Sequence, residues 1–99
     1  MRIIATIEAR MTSTRLPGKV LLQADGIPML QHLFRRLQAV PSLEGIVLAT
    51  TTNPTDDSLE AFAREMNIIC FRGSEEDVMT RVIDAATYAN ADVVVEITG

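Results

Sequence analysis

Four short apolar runs, each parted from the next by a segment of helical period, constrain this chain more than any other feature. Residues 2–7 and 45–50 are apolar and rich in β-branched side chains on both alternating faces. The runs Ile68-Ile69-Cys70-Phe71 and Asp92-Val93-Val94-Val95-Glu96-Ile97 repeat the pattern. Strands written this way are buried on both faces, as in a parallel sheet covered by helices. Between them, Leu30, Leu33, Phe34 and Leu37 recur at spacings of three and four, after Pro28 in a helix-starting position. Leu59, Phe62, Ala63 and Met66 form a second such segment, opened by Thr55-Asp56-Asp57, and Val78, Val82, Ile83 and Ala86 a third. The third is opened by Ser74-Glu75-Glu76-Asp77, where Ser74 is expected to cap the helix and the acids to complement its positive end. The predicted order is β, loop, α, β, α, β, α, β, an α/β fold of parallel strands joined by crossover helices.

With 99 residues the chain has room for one domain, spanning 1–99. Its 47% hydrophobic and 22% charged residues exclude a disordered tail, which lacks the apolar surface to offset its ordering entropy. A membrane span is excluded too: the longest stretch free of Asp, Glu, Lys and Arg is residues 45–55, rich in Thr and holding Asn53 and Pro54. The single cysteine, Cys70, permits no intrachain disulfide, and the apolar start is too short for a secretory signal, so a cytoplasmic protein is expected.

The long irregular segment from Ala9 to Asp25 follows the first strand, at the carboxyl edge where open parallel sheets bind ligands. The net charge is −4, against the basic surplus that a nucleic-acid polymer demands, yet Arg2, Arg10, Arg15 and Lys19 crowd the first 19 residues with Glu8 as the only acid among them. A local cationic site in an acidic protein suits a small phosphorylated ligand. Hydroxyls and backbone amides can surround phosphate oxygens, Arg offers forked donors and Lys a point charge. Only Gly18-Lys19 matches a Walker A loop, and there is no GxGxxG. The same composition suits a solvated loop whose cations balance nearby acids, and the residues alone leave both readings open.

Ala9-Arg10 followed by Ser13, Arg15 and Leu16-Pro17-Gly18-Lys19 resembles the nucleotide-binding loop of the sugar-acid cytidylyltransferases, which include the acylneuraminate and 3-deoxy-manno-octulosonate enzymes. The run Phe71-Arg72-Gly73-Ser74-Glu75-Glu76-Asp77-Val78, with Arg81 and Ala85-Ala86, is most similar to the spore-coat polysaccharide protein F branch, as is Ala91 to Gly99. The resemblance implies a Rossmann-like, three-layer α/β/α nucleotidyltransferase fold. It implies transfer of CMP from CTP to a sugar acid with release of pyrophosphate, in surface polysaccharide biosynthesis. By matching position, Arg10 and Lys19 would be catalytic, stabilising charge on the leaving pyrophosphate. Ala9, Arg10, Ser13, Arg15, Gly18 and Lys19 would hold the triphosphate, with Arg72 and Ser74 near the base or ribose. In the family the Ile-Thr-Gly block precedes an Asp that binds Mg²⁺, so the resemblance implies Mg²⁺ with ligands beyond Gly99 and none within the chain. It makes the 99 residues an N-terminal portion, weakly active or inactive alone. Glu96 departs from the Arg common in the spore-coat branch.

Two other classes remain in view: a non-catalytic nucleotide-binding module and a plain assembly domain. A transferase using UTP or GTP is a further variant, against which the Arg10-to-Lys19 spacing argues. Asp56-Asp57 and Glu75-Glu76-Asp77 are candidate Mg²⁺ ligands but fit better as helix-start acids. Asp25-Gly26 is a turn pair, His32 a surface or cap histidine, and Cys70 a core residue. An incomplete sheet should expose apolar surface and drive dimerisation or other self-association.

Overall fold

The computed structural model describes residues 1–12, 21, 23, 24 and 26–98. Strand β1 (Ile3–Glu8) is followed by a short antiparallel pair, β2 (Gln23–Ala24) and β3 (Ile27–Pro28), and helix α1 (Met29–Gln38). Next come β4 (Gly45–Thr51), α2 (Asp57–Glu65) entered through a 3-10 turn over Pro54–Asp56, β5 (Ile69–Gly73), α3 (Val78–Tyr88) and β6 (Val93–Thr98). Strands β5-β4-β1-β6 lie in that order in one sheet, every pair parallel. The predicted strands, helices and parallel α/β class all hold.

The period-two alternation of β1 and β4 divides the core into two layers. Ala5, Ile7, Ile46 and Leu48 face Leu30 and Phe34 of α1 and Leu59 and Ala63 of α2. There the Phe34 and Phe62 rings stack at 6.0 Å. On the opposite face, Ile4, Val47 and Ala49 pack with Ala85 and Ala89 of α3. The sheet is therefore covered on both sides, a three-layer arrangement.

Helices α2 and α3 stop in the same way. Asn67 and Asn90 take left-handed backbone angles, φ 58° and 56°, just past the helix ends. The amide of Ile68 then bonds Ala63 O and that of Ala91 bonds Ala86 O, closing a Schellman turn that satisfies the last carbonyls. Asparagine tolerates this conformation better than other residues with a Cβ. Gly26, at φ 76°, lies in a turn just before β3, and Asp25, the other member of the expected turn pair, lies outside the described residues. The two-residue strands beside it are too short to leave a period in the sequence.

Two expectations are corrected. The runs at 68–71 and 92–97 read as buried strands, yet Ile69, Val93, Val94 and Val95 are each about 40% exposed. Both are sheet edges with one neighbour, and strand order cannot be read from apolar content. The uncovered valines of β6 are an apolar surface of the kind the sequence predicts. The second correction is the α3 cap: it is Asp77, whose carboxylate accepts from the Thr80 amide (3.0 Å) and hydroxyl (2.8 Å). Those bonds hold the Asp77 carboxyl below its usual range, the Thr80 amide contributing most. Among the described residues no helix is long and apolar enough to cross a membrane.

Cys70 is partly buried, and burial, reinforced by nearby Glu60, pushes its thiol from the ordinary 9.0 up to about 11. At pH 8 the folded chain then holds roughly a hundredfold less thiolate than the unfolded one. Native alkylation by iodoacetamide should be slower by about that factor than alkylation in denaturant. The raised value favours the protonated native state, so its stabilising contribution is complete below pH 9.0 and is lost as pH rises toward 11. Equal native and denatured labelling rates would contradict this.

Candidate functional site

The chain runs from β1 to β4 to β5 across one half of the sheet, then returns to place β6 on the other side of β1. The strand order therefore reverses at β1 and β6, where Glu8 pairs with Thr98 at the carboxyl edge. Open parallel sheets bind ligands at this switch point. Ala9 and Arg10 leave β1 into it.

Ala9 is buried and its amide donates to Ala49 O (3.2 Å), tying the start of the segment to the sheet. Arg10 is half-buried, and among the described residues no acceptor holds its guanidinium. A charged fork that no described residue engages, at this edge, suits an anion. Ser13, Arg15, Gly18 and Lys19 lie outside the described residues.

Arg72, in β5, is in the opposite condition. Its Nε donates to Thr51 O (2.6 Å), one terminal nitrogen to Asn53 O (2.8 Å) and the other to Asp57 Oδ1 (2.7 Å). Glu60 stands 3.6 Å away. The hydrogen bond to Asp57 leads the forces that raise the Arg72 pKa above its ordinary value, so it is a fixed cation. Three of its N–H groups serve the protein, which anchors it against the loop after β4. Ser74 Oγ accepts from the Asp77 amide (3.0 Å), and its carbonyl accepts from Arg81 (2.6 Å). The hydroxyl that was expected near a ribose thus shapes the approach to α3 in this structure.

Three residues outside the set expected to bind nucleotide complete the edge. Arg81 is fully buried and pairs with Glu8. Gly73 makes room beside it: a Cβ there would meet the Phe71 ring at 2.8 Å and Arg81 Cγ at 3.4 Å. Asp56 is also fully buried, and its carboxylate accepts from the Met11 amide (2.8 Å) and from the Thr51 hydroxyl. Asp56 stands at the N-cap position of α2, as expected of a helix-start acid, but its side chain makes no capping bond there; Asp57 lies in the first turn. The available signal was position: Asp56 ends the polar run Thr51-Thr52-Asn53-Pro54-Thr55 directly after a buried strand. Among the described residues no group of three or more His, Cys, Asp and Glu side chains suits a metal. Both Asp56 oxygens are occupied by protein donors and Asp57 is paired with Arg72, so this part of the chain does not fit a Mg²⁺ site.

Residues 4–99 match the family model described as Cytidylyltransferase. The chain belongs to the cytidylyltransferase family. It is 37% identical over 101 residues to the spore coat polysaccharide biosynthesis protein SpsF of Bacillus subtilis, covering 98% of this chain and 42% of that protein. A cytidylyltransferase structure from Leptospira borgpetersenii superposes with a TM-score of 0.92 at 38% identity, covering 99% of this chain and 41% of that one. A structure of CMP:2-keto-3-deoxy-manno-octonic acid synthetase complexed with CTP gives 0.77 at 27% identity, with coverage of 99% and 40%. The chain thus spans about two-fifths of the length of these cytidylyltransferases. The family resemblance and the Rossmann-like fold expected from the sequence both hold.

Proposed function

We propose that this chain supplies the nucleotide grip of a CTP-dependent cytidylyltransferase, which transfers CMP from CTP to a sugar acid and releases pyrophosphate. The observation that carries the proposal is Arg10: a guanidinium with no acceptor among the described residues, at the switch point of a cytidylyltransferase fold. The structural neighbour complexed with CTP supports the choice of nucleotide.

In the proposed reaction a sugar hydroxyl oxygen attacks the α-phosphorus. The α–β bridging bond breaks, pyrophosphate leaves with the bonding pair, and the hydroxyl proton passes to solvent. Negative charge grows on the leaving group, where fixed cations lower the barrier because they need no reorganisation. Arg10 and Lys19 take that role, and Ala9, Ser13, Arg15 and Gly18 line the triphosphate. Arg72 is held rigid by Thr51, Asn53 and Asp57 and stands by to orient the nucleoside end, with Ser74 behind it. No step is routed through the Mg²⁺ that the family resemblance implies, because the described residues do not fit it. Work in polysaccharide biosynthesis, and self-association through the uncovered valines of β6, belong to the same proposal.

The test is pyrophosphate release by the full-length protein that contains this chain, supplied with CTP and a panel of sugar acids. Release with CTP and not with UTP, ATP or GTP is expected. Release with another triphosphate in preference to CTP, or with none, overturns the proposal.

A further inference from the structure

Arg10 sits between two anchors. The amide before it, on Ala9, is bound to Ala49 O of β4 (3.2 Å), and the amide after it, on Met11, is bound to Asp56 Oδ1 (2.8 Å). Both anchors belong to β4 or the segment that follows it. That segment also holds Arg72, through Thr51 O, Asn53 O and Asp57. One stretch, residues 51–57, therefore fixes two guanidinium-bearing segments that arrive from different strands.

Asp56 is the member of this stretch whose chemistry is hardest to explain as packing. It is fully buried, makes no capping bond to α2, and reaches across the chain to a residue 45 positions earlier. The Thr51 hydroxyl that donates to Asp56 also accepts from the Asn53 amide (3.1 Å), so the carboxylate itself is held. A buried polar group needs its partners, and this one has them in a fixed geometry. Binding sites gain when the groups that touch the ligand are held in place beforehand, because less motion is lost on binding.

We propose that Asp56 is a positioning residue of the nucleotide site: by clamping the Met11 amide it sets where Arg10 stands. This rests on the nucleotide reading above. Asp56 touches no ligand in this account and acts only through the backbone beside Arg10.

The experiment compares the wild-type chain with Asp56→Ala, Asp56→Asn and Asp56→Glu. CTP binding is measured by calorimetry at a temperature where circular dichroism shows each variant folded, and Met11 amide hydrogen exchange is measured alongside. Asp56→Ala is expected to weaken CTP binding about tenfold and to speed Met11 exchange, since the amide loses its acceptor. The asparagine oxygen can still accept from Met11, so Asp56→Asn should return to within about threefold of wild type. Should the alanine variant fail to fold, Asp56→Glu decides: it keeps the charge but displaces the carboxylate, and is expected to lose affinity and Met11 protection together. A folded Asp56→Ala or Asp56→Glu that loses Met11 protection and still binds CTP like wild type overturns the proposal alone. A wild-type chain that binds no CTP overturns the nucleotide reading, and the role of Asp56 with it.

Discussion

Replacing Glu8 by alanine should lower the stability of this domain by about 3–5 kcal/mol, the usual cost of leaving a buried charge without its partner. Arg81 is fully buried, and among the described residues Glu8 is its one counter-charge and its Nε has no hydrogen-bond partner. Glu8→Ala removes the counter-charge at the carboxyl end of β1 and leaves the buried Arg81 guanidinium without it. The loss is a large share of the roughly 5–15 kcal/mol that holds a small domain folded. For a domain of this size each kcal/mol is worth about 4–8 °C, so a fall in Tm of at least about 12 °C is expected. Removing both charges together, as Glu8→Gln with Arg81→Met, should cost much less, because no unpaired buried charge remains. The comparison is made by urea denaturation of the single and double variants. A Glu8→Ala midpoint close to wild type would mean that Arg81 is not sealed from solvent.

Arg10→Ala should weaken CTP binding about tenfold or more while leaving stability nearly unchanged. Hydrogen bonds to charged groups are worth roughly 1.5–3 kcal/mol each, and an Arg fork can make two to one phosphate. Stability is spared because among the described residues the guanidinium has no protein acceptor to lose. The split between affinity and stability distinguishes Arg10 from Arg81, for which the order of effects is reversed. Calorimetric titration with CTP and a denaturation curve on the same variant read both quantities. A variant that binds CTP like wild type would remove Arg10 from the site.

The two predictions also mark what the sequence could and could not convey. Apolar runs and helical spacings carry their own period, so β1, β4 and the three helices are legible from residues alone. The position of Arg10 follows as well, since any residue just past β1 in a parallel sheet lies at the carboxyl edge. What the sequence hides is pairing between segments far apart in it. Arg81 is separated from Glu8 by 73 positions, and an arginine in a helix is expected to face solvent. Asp56 stands in an Asp-Asp pair before a helix, where a first-turn acid is the usual role, and only its contact with Met11 reveals otherwise. Edge position is hidden in the same way. Val93, Val94 and Val95 are as apolar as the strands of the centre, and their exposure comes from where β6 lies in the sheet order. At the start of α3, Ser74 and Asp77 are both cap-forming residues, three apart. The bonds from Thr80 choose the aspartate, while the serine hydroxyl takes the Asp77 amide.

The central claim, that the carboxyl edge of this sheet grips CTP, is tested most directly by titrating the chain with CTP, UTP, ATP and GTP while following its thermal unfolding. A ligand that binds only the native state raises stability by about 2.7 kcal/mol at a hundred times its Kd. The account predicts a rise in Tm with CTP that exceeds the rise with each of the other three, and its loss in Arg10→Ala. Equal shifts with all four nucleotides, or none with CTP, would contradict it.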